Sequence, residues 1–304
     1  MNRHDRRRKI ADLTKSDAML NSFPSDMRAA TELHRQGRLK EAADTLRKIT
    51  KIYAEHPDIR VAWSNLGATL QGLGKIDEAI TALKKARALK PDHPPPHHNL
   101  GMALAQQGKL DEAIESLTRA VELDPDFRDA WSGLALVREQ TGELPLAAEA
   151  WQRATQADPN ALEPLFNLGN VLFRMGQLAD AAAAFESCLA RRPQMPEALY
   201  ALGRVHEAAG NVDTAAEAYL AATRLAPQVQ VGHVQLANMI AGVARIDLPK
   251  AQALADLYRE THPDSPIVPQ IAARLEEVAR ENGAAENGDA APPAEPAAAS
   301  LGQA

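Results

Sequence analysis

The sequence predicts an all-α fold built from stacked helical hairpins. Three observations carry this prediction. The chain repeats itself at an offset of 34 residues, as "AWSNLGATLQGLGKIDEAITALKKARALKPDH" aligned with "PHHNLGMALAQQGKLDEAIESLTRAVELDPDF" makes plain. Apolar residues inside each copy recur at helical spacing, as in Trp63, Leu66, Gly67 and Leu70, then Ala79, Leu83 and Ala86. Aromatic residues are only 4% of the chain while alanine is plentiful, which suits close-packed helices better than sheets.

Five copies run without insertion over residues 60–93, 94–127, 128–161, 162–195 and 196–229. The first marked slot holds Trp63, His97, Trp131, Leu165 and Leu199. Leucine follows three residues later in every copy, and then come Gly67, Gly101, Ala135, Gly169 and Gly203. These small residues leave room where two helices must approach closely. A second glycine, from Gly74 to Gly210, falls between the two helices, where a C-terminal cap benefits from tolerance of positive φ. Each copy closes on a proline, from Pro91 to Pro227, which ends the second helix. One hairpin cannot bury both of its faces, so stability must come from stacking on neighbours.

These residues resemble the tetratricopeptide repeat (TPR) family, of the bacterial type. The resemblance implies a right-handed α-solenoid, a superhelix of about seven hairpins plus a C-terminal capping helix. Residues 23–59 read as a degenerate first unit, in which Pro57 arrives three residues late and suggests a longer second helix. Residues 230–265 read as a seventh unit with two extra residues in the turn "ARIDLP". The capping helix is expected at 266–281, with Ile271, Leu275 and Val278 on one stripe. Residues 1–22 form a basic tail, and 282–304 a small, polar, proline-bearing tail expected to be disordered.

Ordinary soluble composition, with 24% charged residues and net charge −6, gives no electrostatic reason to expect specific nucleic acid binding. No apolar run is long enough for a membrane span or for the middle of a signal peptide, so a cytoplasmic protein is expected. The lone cysteine, Cys188, occupies an alanine slot and reads as a small core residue. The cluster His93, His97 and His98 around Pro94–Pro96 reads as the seam between two units. No metal site is expected there, because no Asp or Cys completes a ligand set. The pairs Asp77–Glu78 and Asp111–Glu112 suit the positive end of a helix dipole. Neither a phosphate loop nor any other catalytic motif occurs, so no enzyme, no catalytic residue and no cofactor is expected.

What remains is the inner surface made by the first helices. The resemblance places Asn65, Asn99 and Asn167 in a row at the sixth position, interrupted by Gly133 and Ala201. A similar row in the repeats of O-GlcNAc transferase holds a peptide backbone, since an amide both donates and accepts. The competing reading is local helix packing. Neighbouring groove positions hold His98, Met102, Phe166, Asn170, Tyr200 and Arg204, with Phe173 and Glu207 further along. Phe166, Phe173 and Tyr200 are expected to form an apolar floor, unless the seventh unit or the last helix covers them. A clamp for chaperone C-terminal carboxylates is not expected, because Arg204 is the sole cation in the corresponding slots. The sequence thus points to a scaffold or adaptor binding a protein or peptide partner. The alternatives are a substrate-presenting accessory of a separate transferase, and a self-assembling homo-oligomer.

Overall fold

The computed structural model describes residues 22–286, and these residues form helices, turns and linkers with no strand among them. They fall into two compact units divided between Pro164 and Leu165, in the first turn of a helix. The basic N-terminal tail lies outside the described residues, as does the chain beyond residue 286.

The first unit holds α1 (22–35), α2 (Leu39–Ile52), α3 (Ile59–Gly72), α4 (Ile76–Leu89), α5 (Pro94–Gln106), α6 (Leu110–Leu123), α7 (Arg128–Gln140) and α8 (Leu144–Ala157). The second runs from α9 (Leu162–Arg174) through α10 (Leu178–Arg191), α11 (Pro196–Ala208), α12 (Val212–Leu225), α13 (Gln230–Ala244) and α14 (Leu248–Thr261) to α15 (Val268–Glu286). Odd-numbered helices up to α13 are the first of each hairpin, and the next even-numbered helix is its partner.

Each regular hairpin is closed by the same backbone device. At the end of α3, Lys75 N–H donates to the Leu70 carbonyl at 2.9 Å and Gly74 N–H to the Gln71 carbonyl at 2.9 Å. Gly74 sits at φ 72°, and the equivalent Gly210 at φ 77°. This is the Schellman arrangement, and the left-handed residue in it favours glycine.

The hairpins are then welded by a close approach. The methyl of an alanine at Gly101 would lie 2.6 Å from Leu117 Cγ, and at Gly203 2.6 Å from the Tyr219 ring. The intruding side chain always lies sixteen residues beyond the glycine. In α7 the slot is Ala135, fully buried, and the corresponding large residue is the fully buried Trp151. Two of these large residues are also pinned at their polar ends. Trp151 Nε1–H donates to Glu139 Oε1 at 2.8 Å, and Tyr219 O–H to Glu207 Oε2 at 2.6 Å.

Successive hairpins are tied by a bond that the sequence did not suggest. His97 was expected to do no more than pack. It is buried, and its Nε2 also lies 2.7 Å from the Pro91 carbonyl. Trp131 Nε1–H donates to the Pro125 carbonyl at 2.8 Å, and His233 Nε2 to the Pro227 carbonyl at 3.0 Å. The closing proline therefore offers an acceptor to a donor six residues on. Trp63 follows an irregular linker and makes no such bond among the described residues; its ring instead carries the Lys85 ammonium at 4.4 Å.

Three expectations need correction. The late Pro57 does not lengthen α2, which has 14 residues like its counterparts. The extra residues enter the linker before α3 as turns. The two added residues of the seventh unit do not swell the turn; they extend α13 to 15 residues, against 13 in α11. No glycine stands at that corner to take positive φ, so the Schellman device is unavailable. The next helix is capped instead by the Asp247 carboxylate, which accepts from Lys250 N–H at 3.0 Å. The last helix also continues to Glu286, past residue 281 where its end was expected. Its stripe of Ile271, Leu275 and Val278 is buried against α13 and α14, as part of one core cluster.

Replacing Gly203 by alanine should cost about 1–3 kcal/mol in urea unfolding, because the Tyr219 ring is held at both ends and cannot retreat. His233 supplies a second prediction. It is buried, with Nδ1 2.8 Å from the Tyr258 hydroxyl and Nε2 on a carbonyl that can only accept. Nε2 therefore carries the proton, and the neutral ring accepts from Tyr258, whose oxygen lies 2.8 Å from Ser265 Oγ. Burial, aided by the facing His262 ring, pushes the His233 pKa below 6.5, while the bond to Pro227 opposes this. A base with a lowered folded pKa favours the unfolded chain on protonation. Its contribution is intact above pH about 6.5 and shrinks as pH falls from there towards the folded pKa. Amide exchange in α13 and α14 should accelerate between pH 7.5 and 5, after correction for the intrinsic rate. In His233→Leu this pH dependence should flatten.

Candidate functional site

The residues expected to line the inner surface meet two different fates. In the first unit they are largely engaged with one another. Asn99 Nδ2–H donates to Ser64 Oγ on the preceding first helix at 3.1 Å, and its Oδ1 lies 3.1 Å from His98 Nδ1. The amide oxygen accepts only, so His98 donates from Nδ1. The His98 ring packs on Phe127 with centroids 5.2 Å apart, and burial holds its pKa below the usual histidine value. Met102 leans across Gly133, its sulfur 2.8 Å from where a β-carbon would stand. Asn65 lines only a small cavity of about 120 Å³, beside His34 and Thr69. For Asn99 the packing reading has a concrete bond behind it.

In the second unit the same positions open onto a pocket. Phe166 and Asn170, one turn apart on α9, face Tyr200, Ala201 and Arg204 on α11. The enclosed volume is about 260 Å³. Its depth follows from the hairpin geometry. Gly169 lets Phe185 press against α9, so that the Phe166 ring lies on Phe185 with centroids 5.5 Å apart. Gly203 does the same for Tyr219 beneath Tyr200, at 5.6 Å. Burial raises the Tyr200 and Tyr219 pKa values, and for Tyr219 the bond to Glu207 adds to the effect. Both phenols stay neutral, and Tyr219 keeps its proton on Glu207.

Phe173 does not line the pocket. It lies beside it, and the Arg204 guanidinium carbon stands 4.6 Å from its ring centroid. This contact holds an exposed cation at the rim. Asn167 and Asn170 make no side-chain hydrogen bond with the described residues and are half-buried. Glu207, a groove position by sequence, is consumed by Tyr219 and by Gln235 Nε2–H, which donates to the same oxygen at 2.9 Å.

Sequence reasoning missed the opposite wall. It comes from the end of α12 and the start of α13, through Thr223, Ala226, Val229, Val231 and Gly232. The seventh unit is thus a side of the pocket and does not cover Phe166 and Tyr200. Val229 is 46% exposed and Val231 55%. The signal lay in "PQVQVG", where Val231, in the first turn of α13, stands where four other copies have Pro95, Asp129, Glu163 and Glu197.

Nothing in this arrangement assembles a nucleophile, a base and an orienting acid. Among the described residues no three His, Cys, Asp or Glu side chains are grouped to hold a metal ion. His97 has its Nε2 on the Pro91 carbonyl, and Cys188 is buried with its thiol pKa raised by desolvation. No helix among the described residues is long and apolar enough to cross a membrane.

Stacked hairpins of 34 residues with a side-chain-sized pocket between first helices define a helical-repeat protein. The chain belongs to the tetratricopeptide repeat family: one family profile matches residues 98–161 and 166–229, and a second matches 26–92 and 58–126. No curated protein matches the sequence. Among solved structures, MamA shares 26% identity at a TM-score of 0.51, covering 55% of this chain and 91% of its own. YrrB, described as a TPR protein with an unusual peptide-binding site, shares 21% identity at a TM-score of 0.54 over 64% of this chain and 98% of its own. The C-terminal part of a TPR protein from Cytophaga hutchinsonii shares 18% identity at 0.66, over 81% and 98% respectively.

The contrast between the two units predicts different costs for similar changes. Asn99→Ala should lose about 0.5–1.5 kcal/mol in denaturant unfolding, the value of a protein–protein hydrogen bond. Asn167→Ala should stay within about 0.5 kcal/mol of wild type.

Proposed function

We propose that the chain is a non-enzymatic interaction scaffold that binds a peptide or helix of a protein partner on the face of its first helices. The pocket bounded by Phe166, Tyr200, Val229 and Val231 carries this reading. Its volume of about 260 Å³ is below the roughly 300–1,000 Å³ usual for small-molecule sites, and suits one inserted side chain. Aromatic walls, exposed valines at the mouth and few polar groups are the composition of a protein-binding hot spot. Family membership supports an interaction module, and the same fold carries a peptide-binding site in YrrB.

Asn167 and Asn170, with unspent amides beside the pocket, are the groups proposed to bond a partner's backbone. Asn99 is assigned to packing first, because its donor is taken by Ser64. Asn65, His98 and Met102 are proposed to line the corresponding first helices of the first unit, whose side chains are more engaged with one another.

The test is affinity capture with the wild type and with Val231→Asp, a change at an exposed position that leaves the core untouched. Partners held by the wild type should be reduced at least tenfold by the variant, in line with a hot-spot loss of more than about 1.4 kcal/mol. The Phe166→Glu, Tyr200→Glu pair should abolish capture, with helical content checked because both rings pack on Phe185 or Tyr219. Equal capture by wild type and Val231→Asp would remove the pocket from the function. A transferase among the partners, changed in activity by the chain, would favour the accessory role instead.

A further inference from the structure

The pocket carries more information than its apolar walls. Its α11 side presents Glu197, Tyr200, Ala201 and Arg204, a single stripe along one helix. Glu197 and Arg204 are both exposed, and neither forms an ion pair with any described residue. Seven residues apart, they lie about 10.5 Å from each other along the helix axis, too far to neutralise one another as an i,i+4 pair would. Arg204 is also held in place, its guanidinium resting on the Phe173 ring at 4.6 Å. An acid and a positioned base thus flank the apolar opening on opposite sides, both unspent.

Resting on the reading that this pocket binds a protein segment, we propose that its occupant carries a large apolar side chain between a basic and an acidic residue. The apolar side chain enters between Phe166 and Tyr200, the acid meets Arg204, and the base meets Glu197. In an extended segment at about 3.3 Å per residue, the two charges stand about three residues apart. The segment also has a direction, because the two ends of the α11 stripe differ in sign. Rim charges set specificity and orientation more than affinity, so the apolar anchor provides most of the binding and the charges choose among anchors.

The experiment selects from a displayed library of random twelve-residue peptides with three full-length baits: wild type, Val231→Asp, and the charge-swapped pair Glu197→Lys, Arg204→Glu. Both swapped positions are exposed, so the hairpins remain intact, and helical content verifies this. The expected result is that wild type enriches peptides with an aromatic or branched apolar residue flanked by one acid and one base. The swapped bait should enrich the reversed charge order, and Val231→Asp should enrich neither. Individual peptides should shift preference by about fivefold between wild type and swapped bait. If wild type and swapped bait select the same peptides while Val231→Asp loses them, the pocket binds protein segments but the charge assignment is overturned. If no bait retains a peptide, or Val231→Asp retains the same ones as wild type, the proposal and the pocket reading both fall.

Discussion

Everything in this chain depends on how closely the two helices of a hairpin approach one another. The approach is set by a small residue on the first helix facing a large one sixteen residues later: Gly101 and Leu117, Gly169 and Phe185, Gly203 and Tyr219. A β-carbon at these glycines would stand at 2.6–2.7 Å from the facing side chain, inside van der Waals contact. The contact is therefore used to its limit, and the residue chosen for the large partner is free to vary. Leucine in the first unit makes an ordinary core. Phenylalanine and tyrosine in the second unit reach through the glycine gap and support the rings of Phe166 and Tyr200 from behind. A packing rule shared by the hairpins thus becomes, at two of them, the floor of a pocket.

Much of the fold was legible because each structural demand was written several times. A glycine at one position says little; a small residue at Gly67, Gly101, Ala135, Gly169 and Gly203 declares a close approach. Legibility failed where the demand occurred only once. The irregular linker after α2 and the corner after α13 have no second copy to calibrate them. In both, added residues were assigned to the wrong element. At the second corner the missing glycine was the physical cause, and the same absence could have warned that the turn would be built differently.

The site was half legible for a related reason. Positions on first helices could be numbered from the repeat, which located Phe166, Asn170, Tyr200 and Arg204 in one pocket. Numbering does not say whether a side chain is already engaged. Asn99 is occupied by Ser64 and His98, and Glu207 by Tyr219 and Gln235, and of these partners only His98 is near in sequence. The wall formed by Val229 and Val231 was missed because the end of the linker and the first turn of α13 were read as punctuation. Their apolarity carried information that spacing did not.

One further contrast connects the fold to the pocket. The first helices α5, α7 and α13 are tied to the preceding linker by a side-chain N–H on the closing proline carbonyl. In α9 and α11 the corresponding residues are Leu165 and Leu199, which have no donor. The linker before α5 also contains a backbone turn bond, from His93 N–H to the Lys90 carbonyl, and that before α7 one from Phe127 N–H to the Asp124 carbonyl. Residues 192–195 before α11 form no such bond among the described residues. The two helices that face each other across the pocket thus lack the polar tether, as α3 does, and α11 lacks the linker turn as well. Their placement rests on glycine-to-aromatic packing and on apolar contact, which resists separation yet permits small shifts more readily than a directed hydrogen bond does. The third wall of the pocket, from α13, keeps its tether through His233, so one side is held by a directed bond and the other two by packing.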